Sequence, residues 1–136
     1  MLPDVLDSKL KVVFCGTAAG NRSASLQQYY VGQGNKFWNT LFQIGLTAKQ
    51  LNPSEFNTLL SFGIGLTDLV KGKSGMDSIL ISSDFGSDIL VKKIYKYSPD
   101  FLCFNGKRAG KEFLMSEYVD YGIQKKNVGK TKLFIA

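Results

Sequence analysis

Histidine is absent from the 136 residues, and this absence excludes more than any other count. No Ser-His-Asp triad, Cys-His pair, histidine zinc site or imidazole general base can be assembled from the chain. Cysteine is nearly absent as well. Cys15 and Cys103 can neither complete a zinc site nor form a disulfide framework. Long apolar runs are also missing: the longest, such as Val12-Val13-Phe14-Cys15, hold four residues and cannot span a membrane. The opening Met1-Leu-Pro-Asp-Val-Leu-Asp-Ser lacks the basic start and apolar stretch of a signal peptide. The expectation is a reduced, cytoplasmic (in a prokaryote, nucleoid-associated) protein with no membrane partner.

What is present suits one globular domain over 1–136, with 44% hydrophobic and 21% charged residues. No repeat, low-complexity block or Pro/Gly/Ser linker divides it. Seventeen Lys and Arg against eleven Asp and Glu give a net charge of +6, which favours polyanionic partners.

Three continuous apolar segments read as strands buried on both faces, as in a parallel sheet: Lys11 to Cys15, Asp100 to Phe104 and Lys132 to Ile135. A fourth is placed around Ile64-Gly65-Leu66. Helical patterns alternate with them. Phe37, Leu41 and Ile44 recur on one face and Gly45 stops that helix. Asn52-Pro53-Ser54-Glu55 opens a second, to about Ser61. A third runs from about Phe85 until Pro99 closes it, and a fourth covers Lys107 to Met115. The pattern predicts a three-layer α/β/α sandwich around a mainly parallel sheet. Ligands bind beyond the carboxyl ends of such strands, so the search begins at Gly16 and Asn105.

Gly72-Lys73-Ser74 does not complete a P-loop, because Thr67 stands where its first glycine should, and Gly16-Thr17-Ala18-Ala19-Gly20 does not fit G-x-G-x-x-G. It is a plain turn or a loop whose amides face a polar ligand. Tyr29 and Tyr30 are packing residues or a stacking platform for a base. Asn35 suits a helix cap, and Asn105-Gly106 an ordinary turn, although an Asn side chain can also read a base edge. Asp68 is a helix cap or a surface acid. Lys71, Lys73, Lys107 and Arg108 follow strand ends, as solvated charges or as contacts to the phosphates of a polyanion.

Leu10-Lys-Val-Val-Phe-Cys-Gly-Thr-Ala-Ala-Gly, Asn35-Lys-Phe-Trp, Gly45-Leu-Thr, Leu51-Asn-Pro-Ser-Glu and Gly63-Ile-Gly-Leu-Thr-Asp-Leu-Val, in this order, resemble the mismatch-specific uracil-DNA glycosylases. Tyr29-Tyr30, Asn35-Lys-Phe-Trp, Gly75-Met-Asp-Ser and Phe104-Asn-Gly-Lys also resemble the related hypoxanthine-DNA glycosylases. The resemblance runs from about Lys9 to Ala136. It implies a uracil-DNA glycosylase-like α/β/α fold and hydrolysis of a deaminated base, uracil or hypoxanthine, from single- or double-stranded DNA in base-excision repair. It implies a monomer, and no metal or other cofactor.

Site residues follow from the same resemblance. The backbone of Thr17, Ala18, Ala19 and Gly20 would face the base, Tyr30 would stack on it, and Asn105 would read its edge. The mismatch-specific family reads Gly-x-Asn-Pro-Gly in the first loop, where its Asn positions the attacking water. Ala18 and Ala19 stand there in this chain, so the hypoxanthine enzymes' Asn-x-Phe-Trp motif points instead to Asn35, with Asp68 as the alternative. Loss of that first-loop Asn also allows a catalytically silent nucleic-acid binder of the same fold, and a nucleotide-binding module is a third reading. The natural chain is expected to continue past Ala136 into the wedge loop and last helix of these families. A free carboxylate at the end of a buried strand near DNA would be costly.

Overall fold

The apolar runs at Val12, Phe101 and Thr131 form neighbouring parallel strands, because each can bury both faces. The computed structural model describes residues 2–32, 34–71 and 86–136. In chain order these form β1 (Val12–Ala18), α1 (Asn21–Leu26), α2 (Phe37–Gln43), a 3₁₀ segment (Pro53–Phe62) and β2 (Ile64–Val70). Then follow α3 (Ser87–Tyr97), β3 (Phe101–Phe104), α4 (Lys107–Leu114), β4 (Gly122–Val128) and β5 (Thr131–Ile135). The sheet order is β2-β1-β3-β5-β4, with every pairing parallel except β4 to β5.

Alternation along β1 sorts the core into two layers. Val13 and Cys15 join Leu102, Phe104, Leu133 and Ile135 on one face, covered by Leu90 and Ile94 of α3 and Ala109 of α4. Val12 and Phe14 point the other way, towards Tyr29, Trp38 and Leu41 of α2, and Leu59 of the 3₁₀ segment. The second layer covers β1 and β2, while Phe101 of β3 keeps 39% of its surface exposed.

Several boundaries differ from the sequence expectation. The first strand continues through Ala18, because Gly16 and Ala18 still pair with Asp68 and Val70. The second strand extends to Val70 and is buried throughout, although glycine at position 65 weakens its signal. Pro53–Phe62 winds as 3₁₀ rather than α, with Glu55 accepting a hydrogen bond from the Asn52 amide at 3.0 Å. Two elements went unpredicted: the short α1, and β4, whose residues are mostly exposed. β4 returns to β5 through a two-residue turn at Gly129-Lys130, and Gly129 has φ +57°.

β2 lies at the end of the sheet order, yet its outer edge is occupied. Val5 and Leu66 exchange both backbone hydrogen bonds, at 2.9 and 2.8 Å, so the N-terminal segment seals that edge. Gly65 permits the approach, since a Cβ there would stand 2.7 Å from the Val5 carbonyl oxygen.

Gly110 serves the other layer in the same way. A Cβ on it would collide with Ile135 Cδ1, in the fully buried end of β5. Gly110→Ala is therefore expected to lower stability by about 1–3 kcal/mol, despite alanine's higher helix propensity. Urea denaturation measures this, and a variant as stable as the parent would contradict the close α4–β5 packing.

Candidate active site

Parallel pairing builds the site. β1 lies between β2 and β3, so Gly16 comes opposite Asp68, and the Asn105 amide donates to the Cys15 carbonyl at 2.8 Å. The three residues meet at the carboxyl ends of their strands, where open α/β sheets bind ligands. They contribute to a cleft of about 470 Å³, a size suited to a small organic ligand. Thr17, Ala18, Ala19, Gly20, Tyr30, Asn35, Asp68 and Asn105 all line it. Thr17 and Ala18 do so as strand residues, and Gly20 opens α1 by accepting from the Ala24 amide at 2.9 Å.

The two adjacent tyrosines have separate environments. Tyr29 is 1% exposed, with its hydroxyl donating to the Pro3 carbonyl at 3.0 Å and its backbone carbonyl accepting from the Trp38 indole at 3.1 Å. Tyr30 turns into the cleft through a left-handed backbone, φ +54°, a conformation that costs a bulky residue energy and persists only where surroundings enforce it. Ser23 helps to do so, since its hydroxyl accepts from the Val31 amide at 3.1 Å. The Tyr30 ring stacks on Phe37 with centroids 4.1 Å apart, and its hydroxyl accepts from Asn105 Nδ2 at 2.8 Å. Burial, then the nearby Asp68 charge, push the Tyr30 phenol well above its ordinary range, so it stays protonated.

Asp68 lies inside β2, only 6% exposed, rather than at a helix start or on the surface. A Cβ on Gly16 would sit 2.9 Å from Asp68 Oδ1, so glycine there makes room for the carboxylate, while the Tyr30 hydroxyl lies at ordinary contact distance, 3.5 Å. Burial is the main cause that raises the Asp68 carboxyl from 3.8 to about 6. Lys71, at 3.7 Å, opposes that rise, while the Asp4 charge adds to it. A buried carboxylate that changes charge close to neutral pH is the chemically distinctive group of the cleft.

The other expected residues divide. Asn35 lines the cleft and also fixes the start of α2, its Oδ1 accepting from the Phe37 amide at 2.9 Å. Lys71 is tied inward, to Asp4 at 2.9 Å, the Tyr29 hydroxyl at 3.0 Å and the Leu2 carbonyl at 3.1 Å. Lys73 lies outside the described residues. Lys107 and Arg108 open α4, just after Asn105. Lys107 rests over the Tyr121 ring at 4.4 Å, and Arg108 pairs with Glu112 at 3.3 Å. Burial raises both thiols, Cys15 strongly and Cys103 to about 11, so both act as apolar core atoms. Among the described residues, no three Cys, Asp or Glu side chains gather as a metal site would require. Sequence reasoning missed Asp4 and Lys93, which pair at 2.5 Å beside Lys71, and no local pattern marks them.

Two comparisons bear on this arrangement. The profile of the uracil DNA glycosylase superfamily matches residues 3–135. The solution NMR structure of a protein from Methanosarcina acetivorans, provisionally named a uracil DNA glycosylase, is similar with a TM-score of 0.60. The two sequences are 25% identical, over 84% of this chain and 73% of that one.

The Asp68 carboxyl has a measurable signature. It holds its proton more tightly folded than unfolded, so its contribution favours folding below about pH 4 and is lost as pH rises through about 6. The loss by neutral pH is on the order of 3 kcal/mol. Asp68→Asn is expected to remove this decline between pH 4 and 7 in urea denaturation. Parallel pH–stability curves for variant and parent would show that Asp68 titrates normally.

Proposed function

The chain belongs to the uracil DNA glycosylase superfamily, and from that premise we propose that it hydrolyses the N-glycosidic bond of a deaminated base, uracil or hypoxanthine, in DNA. The observation that carries this reading is the buried Asp68 carboxylate beside the Tyr30–Asn105 pair in a cleft large enough for a flipped base. A duplex hides the target bond, so the nucleotide must first leave the stack at a cost of a few kcal/mol, less at a mismatched or damaged pair. The +6 net charge, together with Lys107 and Arg108 at the start of α4, supplies phosphate attraction that carries no sequence information.

Within the cleft, Tyr30 stacks on the base and the Asn105 carboxamide reads its edge. As the glycosidic bond lengthens, positive charge grows on the sugar and negative charge on the departing base. The Asp68 carboxylate stabilises the first and takes a proton from the attacking water, for which a group titrating near neutral pH is suited. Asn35 holds that water with the hydrogen-bonding capacity that Phe37 leaves. Amides of Ala19 and Gly20, beyond the last strand pairing, stabilise the leaving base. Lys71 is bound to Asp4, Tyr29 and Leu2 rather than offered as an amine nucleophile, which supports a hydrolytic enzyme without strand cleavage. The alanines at positions 18 and 19 favour one rival, a silent DNA-binding member of the fold.

Single-turnover assays on duplexes carrying uracil or hypoxanthine, with EDTA present, test the reading. The expected result is base release without strand scission. Asp68→Asn is expected to slow release about 10²–10⁴-fold with DNA affinity changed far less. Asn35→Ala is expected to lower the same rate. Full activity in Asp68→Asn with none in Asn35→Ala would assign the water to Asn35 alone. DNA binding without release of either base would establish the silent binder.

A further inference from the structure

Beside the cleft lies a cluster of charges that the proposed reaction does not use. Asp4 reaches across the sealed edge of β2 and accepts from Thr67 Oγ1 at 2.6 Å, Lys93 Nζ at 2.5 Å and Lys71 Nζ at 2.9 Å. Burial opposes ionisation of Asp4, yet these three donors together hold its carboxyl below the usual carboxylate range. The backbone exchange between Val5 and Leu66 and the Tyr29 hydrogen bond to Pro3 fix the segment that carries it.

Lys71 stands between two carboxylates. It follows Asp68 by three residues and is its one cationic contact among the described residues, but the separation is 3.7 Å. Its closer contacts are with Asp4, the Tyr29 hydroxyl and the Leu2 carbonyl. We propose that Asp4 is a positioning residue that draws the Lys71 ammonium off Asp68 and thereby sets the pH at which Asp68 becomes the working carboxylate, an inference that rests on the role given to Asp68 above.

Two effects of Asp4 act in the same direction. Its negative charge directly disfavours a second charge on Asp68, and its grip on Lys71 withholds the cation that would favour one. Among the described residues, few groups face Asp68 from the surrounding elements. Cys15 of β1 and the phenols of Tyr29 and Tyr30 are neutral at working pH, because burial raises each of them. Lys71 at the end of β2, Asp4 of the N-terminal segment and Lys93 of α3 carry the charges. The acidity of Asp68 therefore depends on how Lys71 and Lys93 are shared with Asp4.

The test follows the Asp68 carboxyl carbon by NMR from pH 4 to 8 in the full chain, beside the pH dependence of single-turnover base release. In the parent the midpoint is expected near 6. Asp4→Asn should lower it by about one pH unit, since a negative charge is lost and Lys71, held then by neutral groups alone, can close on Asp68, and Asp4→Glu should restore it. Lys71→Met should raise it by a similar amount. Lys93→Met should raise it as well, because a positive charge is lost and Asp4 then holds Lys71 alone. The acidic limb of the rate profile should move with each midpoint. A folded Asp4→Asn protein with an unchanged or higher midpoint overturns the proposal. Should that variant not fold, an unchanged or lower midpoint in Lys93→Met overturns it. A parent that releases no base overturns the functional reading instead, and the carboxyl titrations decide the role of Asp4 without it.

Discussion

The register between β1 and β2 is the constraint on which the cleft depends. It sets Gly16 opposite Asp68, and a side chain there would press on the Asp68 carboxylate, which would have to shift. A slip of one residue would turn Asp68 to the opposite face of the sheet, into the layer formed by α3 and α4. The pairing of β1 with β3 completes the arrangement by bringing Asn105 alongside. Three residues distant in sequence are thus held by backbone hydrogen bonds, which are far stiffer than any loop. Such preorganisation is what electrostatic catalysis requires, because dipoles fixed in advance need no rearrangement during the reaction.

The layers around this ladder were largely legible in the sequence. Continuous apolar runs marked β1, β3 and β5, and the spacing of Phe37 and Leu41 with Gly45 as the stop marked α2, although Ile44 caps that helix with an exposed side chain and Trp38 is buried instead. β4 was not legible, because Gly-Ile-Gln-Lys-Lys-Asn-Val is the polar sequence of an exposed edge and offers no apolar alternation. The Asn52-Pro53 start was read correctly, but capping signals do not distinguish 3₁₀ from α winding.

At the site, the stretch from Gly16 to Gly20, with Tyr30, Asn35 and Asn105, which strand ends and turns pointed to, lines one cleft. The environment of Asp68 was harder to read, since aspartate is disfavoured in strands and its position suggested a helix cap or a surface acid. Local preference failed where a charged group is held against its tendency, as is common at functional sites. Asp4 was beyond reach altogether. Its partners Thr67 and Lys93 lie 63 and 89 residues away, and only the folded edge of β2 brings them together.

That sealed edge also bears on self-association. A parallel sheet normally offers two open rims to which another chain can add a strand, and the Val5–Leu66 exchange closes one of them. Among the described residues the remaining rim is β4, where Lys125 and Lys126 are both exposed. Two molecules meeting rim to rim there would bring four ammonium groups together, a repulsion that counters growth into fibres.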